Sequence, residues 1–439
     1  MARKMKDSGI EWIGEIPEGW SVSKVLHCLS MPITDGPHTT PILYDTGIPF
    51  VSAEAVSCGN GRIDFSHIRG YISEQFYKEC CQKYVPEIDD IYMIKSGATT
   101  GRVAIVDTTR VFTIWSPLAV FRCNKDCMLP KFLFYYLQSP AFQKEVEFGW
   151  TFGTQQNVGM RSLEQMKVCV PQLNKQDTIA NYLDYQCTQI DLLLQKALTS
   201  IEEYKKLKQA VITQAVTKGV RGEREMKDSG VEWIGKIPKE FDSVQLKFFC
   251  KLITDGTHFS PVTVENGFPY ITAGDVHGIG LDYNSAKRIS EEDFQLLVAQ
   301  GCQPLKGDVL LVKDGATTGR VGFVDSDTPC VILSSVAMLR PADNTDGHYL
   351  MYLLVSDFLQ KQILVSMAGS AMPRTTLTKL TKYIGLLPPL HEQKEIADYL
   401  DAKCAEIDGL IAKKEQLVKE LESYKKSLIY EVVTGKREV

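Results

Sequence analysis

The chain has little net charge, few histidines and no long apolar run. Its 49 basic and 54 acidic residues leave a formal charge of −5, which argues against a protein that holds nucleic acid alone through a broad basic surface. No apolar run approaches the ~20 residues that a membrane span needs. The basic N-terminal residues are not followed by the apolar segment of a secretory signal. We therefore expect a cytoplasmic protein that does not associate with a membrane.

Several signatures of catalysis are missing as well. There is no Asn-Pro-Pro-Tyr-type tetrapeptide of amino methylation, no glycine-rich cofactor loop, no Walker A motif and no paired-acid-plus-lysine nuclease motif. The seven histidines and 12 cysteines are scattered, without the spacing of zinc ligands. The cysteines lie mostly in apolar or helical segments, so we interpret them as reduced thiols. The sequence thus predicts no catalytic site and no metal site.

What the chain does contain is an internal repeat. Residues 95–102 read KSGATTGR and residues 313–320 read KDGATTGR, with one change in eight positions. Residues 5–17 return in the same way as residues 226–238. A period of about 220 residues is too long for a solenoid unit. It indicates a duplicated domain with its connector.

Each copy begins with a mixed region. Short β-branched and apolar runs at 48–51, 91–94, 103–106 and 118–121 predict strands. Amphipathic segments predict paired short helices, at 131–137 and 141–148 in the first copy and at 348–355 and 357–367 in the second. The predicted fold class is α+β, with two tandem globular domains. The predicted boundaries are 1–170 and 226–387 for these domains, with 171–225 and 388–439 as their helical segments.

The helical segments follow a heptad pattern. Apolar residues recur in interleaved steps of seven, which is the pattern of a coiled-coil seam. In the first copy they are Leu183, Ile190, Ala197, Tyr204 and Val211 with Ala180, Cys187, Leu194, Ile201 and Ala215, and in the second they include Leu400, Ile407, Leu421 and Leu428 with Ala397, Cys404, Ile411, Val418 and Val432. Lys208, Lys414 and Lys425 interrupt the pattern. Two long helices of similar length predict an antiparallel pair, and an ordinary amphipathic helix on its own domain is the alternative.

Three kinds of loop are candidates for function. The glycine loops, residues 95–102 and 313–320, combine a cation at each end with two threonines and two glycines. Lysine, arginine and threonine are donors to phosphates and base acceptors, although a tight hairpin with glycine at positive φ explains the same pattern. The Asp-Gly loops, residues 35–39 and 255–259, repeat an aspartate and a histidine. No Ser or Cys motif accompanies them, so hydrogen bonding is favoured over catalysis.

The third loop differs between the copies. These variable loops are residues 153–157, with the sequence GTQQN, and residues 369–376, with the sequence GSAMPRTT. Gln and Asn pair bidentately with adenine and Arg with guanine. Two sites that recognise different DNA sequences require different base-contacting side chains at the same position. Ordinary divergence of a loop explains the difference equally well.

Taken together, these motifs resemble the specificity subunit of type I restriction–modification systems, over essentially the whole chain. The resemblance rests on KDSGIEWIGEIP near the start of the first copy, on the Pro-x-Leu-x-x-Gln-x-x-Ile-Ala-x-Tyr-Leu-Asp segments that begin at Pro171 and Pro388, and on the closing segments at 215–219 and 432–435. One departure is Lys175 before Gln176, where the second copy has the more usual Glu392 before Gln393.

The resemblance implies two target recognition domains joined by an antiparallel helical spacer with pseudo-twofold symmetry. Each domain would read one half of a split double-stranded DNA target, and the helices would dock two modification (methyltransferase) subunits, to which restriction (translocase–nuclease) subunits add. The chain would be non-catalytic and bind no cofactor, and S-adenosylmethionine would bind the methyltransferases. A protein-binding coiled-coil scaffold and a stand-alone hydrolase with duplicated Asp-His sites are the alternatives.

We accordingly predict DNA contacts in all three loops of each copy. From the glycine loops they are Lys95, Ser96, Thr99, Thr100, Arg102, Lys313, Thr317, Thr318 and Arg320; from the Asp-Gly loops His38, Thr39, Thr257 and His258; and from the variable loops Gln155, Gln156, Asn157, Arg374, Thr375 and Thr376.

Overall fold

The chain forms two compact units. The computed structural model describes residues 3–152, 156–231, 234–367 and 373–439. The first unit comprises Met1–Leu198 with Gln416–Val439, and the second comprises Thr199–Glu415. Each unit therefore contains one globular region and a part of both long helices.

The first unit mixes short strands with helices, as the sequence predicts. Its strands are β1 Met5–Asp7, β2 Glu15–Pro17, β3 Ser21–Lys24, β4 Thr34–Asp35, β5 Ile48–Val51, β6 Tyr71–Ile72, β7 Ile91–Ile94, β8 Val103–Ile105, β9 Thr113–Ile114, β10 Leu118–Phe121, β11 Trp150–Phe152, β12 Gln156–Val158 and β13 Lys167–Val170. Its helices are α1 Ala53–Cys58, α2 Glu74–Cys81, α3 Pro130–Gln138, α4 Pro140–Phe148, α5 Met160–Gln165 and the start of α6 Leu173–Lys218. The main sheet has the order β4-β10-β7-β8 and is antiparallel.

The second unit repeats this arrangement. Its strands are β14 Met226–Asp228, β15 Lys236–Pro238, β16 Asp242–Gln245, β17 Cys250–Asp255, β18 Thr263–Val264, β19 Phe268–Ile271, β20 Val276–His277, β21 Gly280–Leu281, β22 Lys287–Ile289, β23 Val309–Val312, β24 Val321–Phe323, β25 Val331–Ile332, β26 Val336–Pro341 and β27 Ile384–Leu387. Its helices are α7 Glu291–Ala299, α8 Gly347–Val355, α9 Asp357–Ser366, α10 Leu377–Leu380 and the start of α11 Leu390–Val433. The main sheet, β17-β26-β23-β24, has the same order as in the first unit.

Both faces of the central strands are buried, which explains why they are continuous apolar runs rather than alternating ones. In β7, Ile91 and Met93 belong to one core cluster while Tyr92 and Ile94 belong to another. The second unit divides β23 in the same way between two clusters. The sheet therefore lies between a larger and a smaller apolar core in each unit.

The predicted coiled-coil pairing is present within each unit. Helix α6 has 46 residues and α11 has 44. In the first unit Asp191 pairs with Lys425 at 2.6 Å and Lys175 contacts the Val439 carbonyl oxygen. In the second unit Lys208 pairs with Asp408 at 2.6 Å and Arg221 with Glu395 at 2.7 Å. In each unit, residues later in or just after α6 meet residues earlier in or before the end of the α11 segment, so the pairing is antiparallel, as predicted.

The motif that begins each long helix attaches the globular region to it. Gln176 is fully buried, accepts from the Leu129 backbone N–H at 2.7 Å and donates to the Cys127 carbonyl at 2.9 Å. Gln393 does the same with the Asp346 N–H and the Asn344 carbonyl. Each side-chain amide thus satisfies loop backbone groups that burial would otherwise leave unpaired. Among the described helices, none combines the length and apolarity of a membrane span.

Candidate nucleic-acid interface

Each glycine loop is a tight connection between two strands of the main sheet. The first joins β7 to β8 and the second joins β23 to β24. Gly97 and Gly101 have φ of 101° and 92°, and their counterparts Gly315 and Gly319 have φ of 99° and 98°. Residues that carry a side chain rarely adopt such positive φ values. The repeated glycines therefore have an architectural role, as the hairpin interpretation expects.

Hydrogen bonds within the glycine loops repeat as closely as the sequence does. The Thr100 hydroxyl donates to the Gly97 carbonyl at 2.7 Å, and the Thr318 hydroxyl donates to the Gly315 carbonyl at 2.7 Å. The Gln143 amide donates to the Gly101 carbonyl at 2.9 Å. The Thr318 hydroxyl also lies 3.1 Å from the Pro373 carbonyl of the variable loop. Both threonines thus use their one hydroxyl proton within the unit, and only their lone pairs remain to accept from a ligand.

In the first unit the Asp-Gly loop is fastened to the glycine loop by a buried carboxylate. Asp35 ends β4, is 1% exposed, and lies 3.3 Å from Lys95 Nζ and 3.1 Å from His38 Nε2. Lys83 also donates to it. Burial raises the pKa of Asp35, but the hydrogen bond and charge of Lys83, with those of Lys95, outweigh burial and hold the pKa below its usual value. The carboxylate therefore serves as a charged anchor between the Asp-Gly loop and the glycine loop.

The variable loop joins the same cluster from the other side. The Gly97 N–H donates to the Gln156 carbonyl at 3.0 Å, and the Val158 N–H donates to the Lys95 carbonyl at 2.8 Å. Ser96 and Asn157 face each other as an isolated antiparallel bridge. Three segments that are far apart in sequence are therefore contiguous in the first unit. Gln155, a predicted contact in this loop, lies outside the described residues.

The second unit builds the same cluster. Lys313 Nζ lies 3.3 Å from Asp255 and 2.7 Å from Asp314. The Gly315 N–H donates to the Pro373 carbonyl at 3.0 Å. Asp314 and Arg374 form the antiparallel bridge here, with Arg374 Nε 2.8 Å from the Asp314 carboxylate.

Burial separates the predicted contacts into two groups. Lys313 is 3% exposed, Thr257 is 5% exposed and Thr375 is fully buried. Each has a partner inside the unit: Lys313 has its two aspartates, the Thr257 hydroxyl accepts from the Phe259 N–H, and the Thr375 hydroxyl contacts Tyr383. These three residues position the loops. A direct DNA contact, which the sequence predicts for each, requires them to leave those partners.

The other predicted contacts are at least partly accessible. His38 and His258 are 72% and 75% exposed. Arg102 is exposed and donates to the Ser57 carbonyl at 2.9 Å. The exposed members also include Thr39, Gln156, Asn157, Arg320, Arg374 and Thr376, and Lys95, Ser96, Thr99, Thr100, Thr317 and Thr318 are half-buried. Contact of these residues with DNA stays a prediction.

Two kinds of residue in the cluster were not predicted. Lys83 lies 48 residues from Asp35 and carries no local motif, so nothing in the sequence pointed to it. Gln143 and Gln360 donate to a glycine carbonyl of the glycine loop in their own unit. Because they occupy equivalent positions in the two copies, a comparison of the copies could have identified them. Within the described ranges, no group of three or more His, Cys, Asp or Glu residues is arranged to hold a metal ion.

The family model for the type I restriction modification DNA specificity domain (Methylase_S) matches residues 39–203 and again residues 238–420. The chain belongs to this family. The two matches confirm the family that the motifs suggested and its tandem organisation. Each match includes one complete glycine loop and most of one long helix.

Known relatives resemble this specificity protein along most of its length. A putative type I restriction enzyme MjaX specificity subunit of Methanocaldococcus jannaschii is 26% identical, over 97% of this chain and 95% of its own. The MjaVIII specificity subunit of the same organism is 25% identical, over 84% of each chain. A solved chain from a study of assembly and conformational transition of the type I R-M system has a TM-score of 0.73 at 17% identity, covering 95% of this chain and 98% of that chain.

Proposed function

We propose that this specificity protein is the DNA-recognition subunit of a type I restriction–modification enzyme. The main support is that one three-loop cluster occurs twice, on the same sheet frame, with a different pair of side chains at the bridge between two of the loops. The same backbone arrangement can present base-contacting side chains to a duplex in the same way in both units, while the side chains that differ select different bases. Each half of the chain accordingly reads one half of a split target.

The long helices have a second role in this proposal. They hold the two recognition domains at a set spacing and dock two modification (methyltransferase) subunits, to which restriction (translocase–nuclease) subunits add. Leu192 and Leu193 on α6 are 52% and 51% exposed, and adjacent exposed leucines on a charged helix suit a protein partner. The chain is non-catalytic. S-adenosylmethionine belongs to the methyltransferases, and a complex acting on cellular DNA belongs in the cytoplasm.

The modest charge of the chain agrees with shared DNA binding. A protein of net charge −5 gains little from the release of phosphate counterions by itself. In a complex, the methyltransferases supply part of the phosphate contacts and this chain supplies the base contacts. We therefore expect weak DNA binding by the isolated chain and tight, sequence-selective binding by the assembled complex.

Mapping of methylated adenines tests the proposal. Cells that express this chain with its methyltransferase should methylate one split motif, and cells without this chain should not. Replacing residues 1–170 by those of another family member should alter one half of the motif and leave the other half unchanged. Methylation that persists without this chain, or a replacement that alters both halves together, would contradict it.

A further inference from the structure

The residue facing the glycine loop occupies the same place in both units. In the first unit this residue is Asn157, opposite Ser96, and in the second it is Arg374, opposite Asp314. The backbone hydrogen bonds on either side also match. Gly97 to Gln156 and Gly315 to Pro373 are both 3.0 Å long. Because the frame is the same, the side-chain pairs are the part that differs.

In the second unit the pair is an arginine held by a carboxylate. Arg374 Nε lies 2.8 Å from Asp314 Oδ1, and Lys313 Nζ lies 2.7 Å from Asp314 Oδ2. The side chain of Asp314 is 27% exposed and that of Lys313 only 4%, whereas the side chain of Arg374 is 60% exposed. Asp314 is thus held by the buried Lys313, and it restrains Arg374, which reaches the surface. Contact through Nε leaves the terminal NH groups of the guanidinium for another partner.

An ion pair involving so exposed an arginine contributes little to stability. Its other effect is to restrict the rotamers of Arg374 before a ligand arrives, which lowers the entropic cost of binding. A restrained guanidinium presents two parallel donors, and the matching pair of acceptors on a base is O6 and N7 of guanine in the major groove. The changes from Ser96 to Asp314 and from Asn157 to Arg374 are then one linked change.

We propose that Arg374, oriented by Asp314, selects a guanine in the half-site read by the second unit. The inference rests on the proposed function and deepens it. Asp314 is a positioning residue, since it acts through Arg374. In the first unit Asn157 stands at the equivalent position, and an amide there suits adenine, which offers one acceptor and one donor. The bridging pair is thus the place in each unit where side-chain identity decides the base.

The test uses the full chain assembled with its methyltransferase and a panel of duplexes that vary one base pair of the half-motif at a time. Arg374→Ala should lower discrimination at one G·C pair by roughly 5- to 150-fold, the range for loss of a bidentate contact. Arg374→Lys keeps the positive charge but loses the two parallel N–H donors of the guanidinium, so it should retain most of the affinity for DNA while losing discrimination at that base pair. Asp314→Asn should weaken discrimination at the same pair to a smaller extent.

A further variant and a control make the outcome specific. The double variant D314S/R374N places the first unit's pair in the second unit, and its preference at that position should move from G·C toward A·T. Asp357→Asn removes an exposed partner of Lys361 in the same unit and should leave all preferences unchanged.

If the variants keep the wild-type preference at every position, or relax several positions in both half-motifs, the inference is overturned. If the wild-type complex itself shows no sequence preference, the proposed function fails instead.

Discussion

Lys425 on α11 lies 2.6 and 2.8 Å from the two carboxylate oxygens of Asp191 on α6. Lys425 is 18% exposed and Asp191 is 30% exposed, so the pair lies at the margin of the apolar seam. The second unit has the reciprocal pair, with Lys208 on α6 and Asp408 on α11. Polar residues that interrupt a coiled-coil seam specify its register. These lysines therefore stabilise one alignment of the helices.

Reversing the charge of Lys425 should destabilise the first unit. Lys425→Glu places two carboxylates together in a partly buried site, and we expect the free energy of unfolding to fall by about 1–3 kcal/mol. Chemical denaturation of the full chain measures it. The exchange D191K/K425D should recover most of the loss. Lys419→Glu, at an exposed position of the same helix, should change stability by less than about 0.5 kcal/mol. Equal effects of both single variants would contradict the register role.

A side chain at Gly101 should disturb the first loop cluster. Gly101 has φ of 92°, and an added Cβ would lie 2.2 Å from Gln143 Oε1. We expect Gly101→Ala to lower the free energy of unfolding by about 1–3 kcal/mol and to weaken recognition of one half-motif. Gly222→Ala is the control, because nothing lies within 4 Å of a Cβ there. Thermal unfolding measures the loss of stability, and DNA binding by the assembled complex measures the loss of recognition. A Gly101→Ala variant with unchanged stability and unchanged DNA binding would refute the prediction.

Asp35 should make the free energy of unfolding of the first unit depend on pH. Burial raises the pKa of this carboxyl, but Lys83 and Lys95 outweigh burial and lower it. A lowered folded-state pKa means that the stabilising contribution is complete above the unfolded value of about 3.9. It is lost as pH falls through the lower folded-state value.

We therefore expect Asp35→Asn to lower the free energy of unfolding at pH 7 by about 1–3 kcal/mol. The difference from wild type should narrow as pH falls from about 5 to 3. Denaturation curves at a series of pH values measure it. Asp45→Asn, on an exposed part of the same unit, should track the wild type throughout. A difference that is constant across this range would argue against the charged anchor.

Polar substitution of the exposed leucines on α6 should weaken the methyltransferase interaction. L192S/L193S removes apolar surface at two half-exposed positions, and we expect the dissociation constant to rise by about tenfold or more. Titration calorimetry with the methyltransferase subunit measures it. Leu296→Ser on α7, where the side chain is 50% exposed, should leave the interaction unchanged. Unaltered affinity of the double variant would place the docking surface elsewhere.

Local pattern was enough to establish the tandem α+β organisation and the long helices. Heptad spacing, glycine placement and apolar runs depend on residues that are near one another in the chain, so their physical consequence can be worked out from sequence. The duplication then allowed each pattern to be checked against its copy. The glycine loops, the glutamines at the start of the helices and the paired helices were all visible in this way.

Only the tertiary structure decided which polar residues are anchors and which are available. Lys313 and Lys95 occupy equivalent places in the repeat, yet Lys313 is almost fully buried, and Thr375, predicted as a reader, has its hydroxyl against Tyr383. Lys208 and Lys425 looked like breaks in the seam and are paired within it. Burial and ion pairing depend on partners dozens or hundreds of residues away, and local sequence does not reveal which partner the fold brings near.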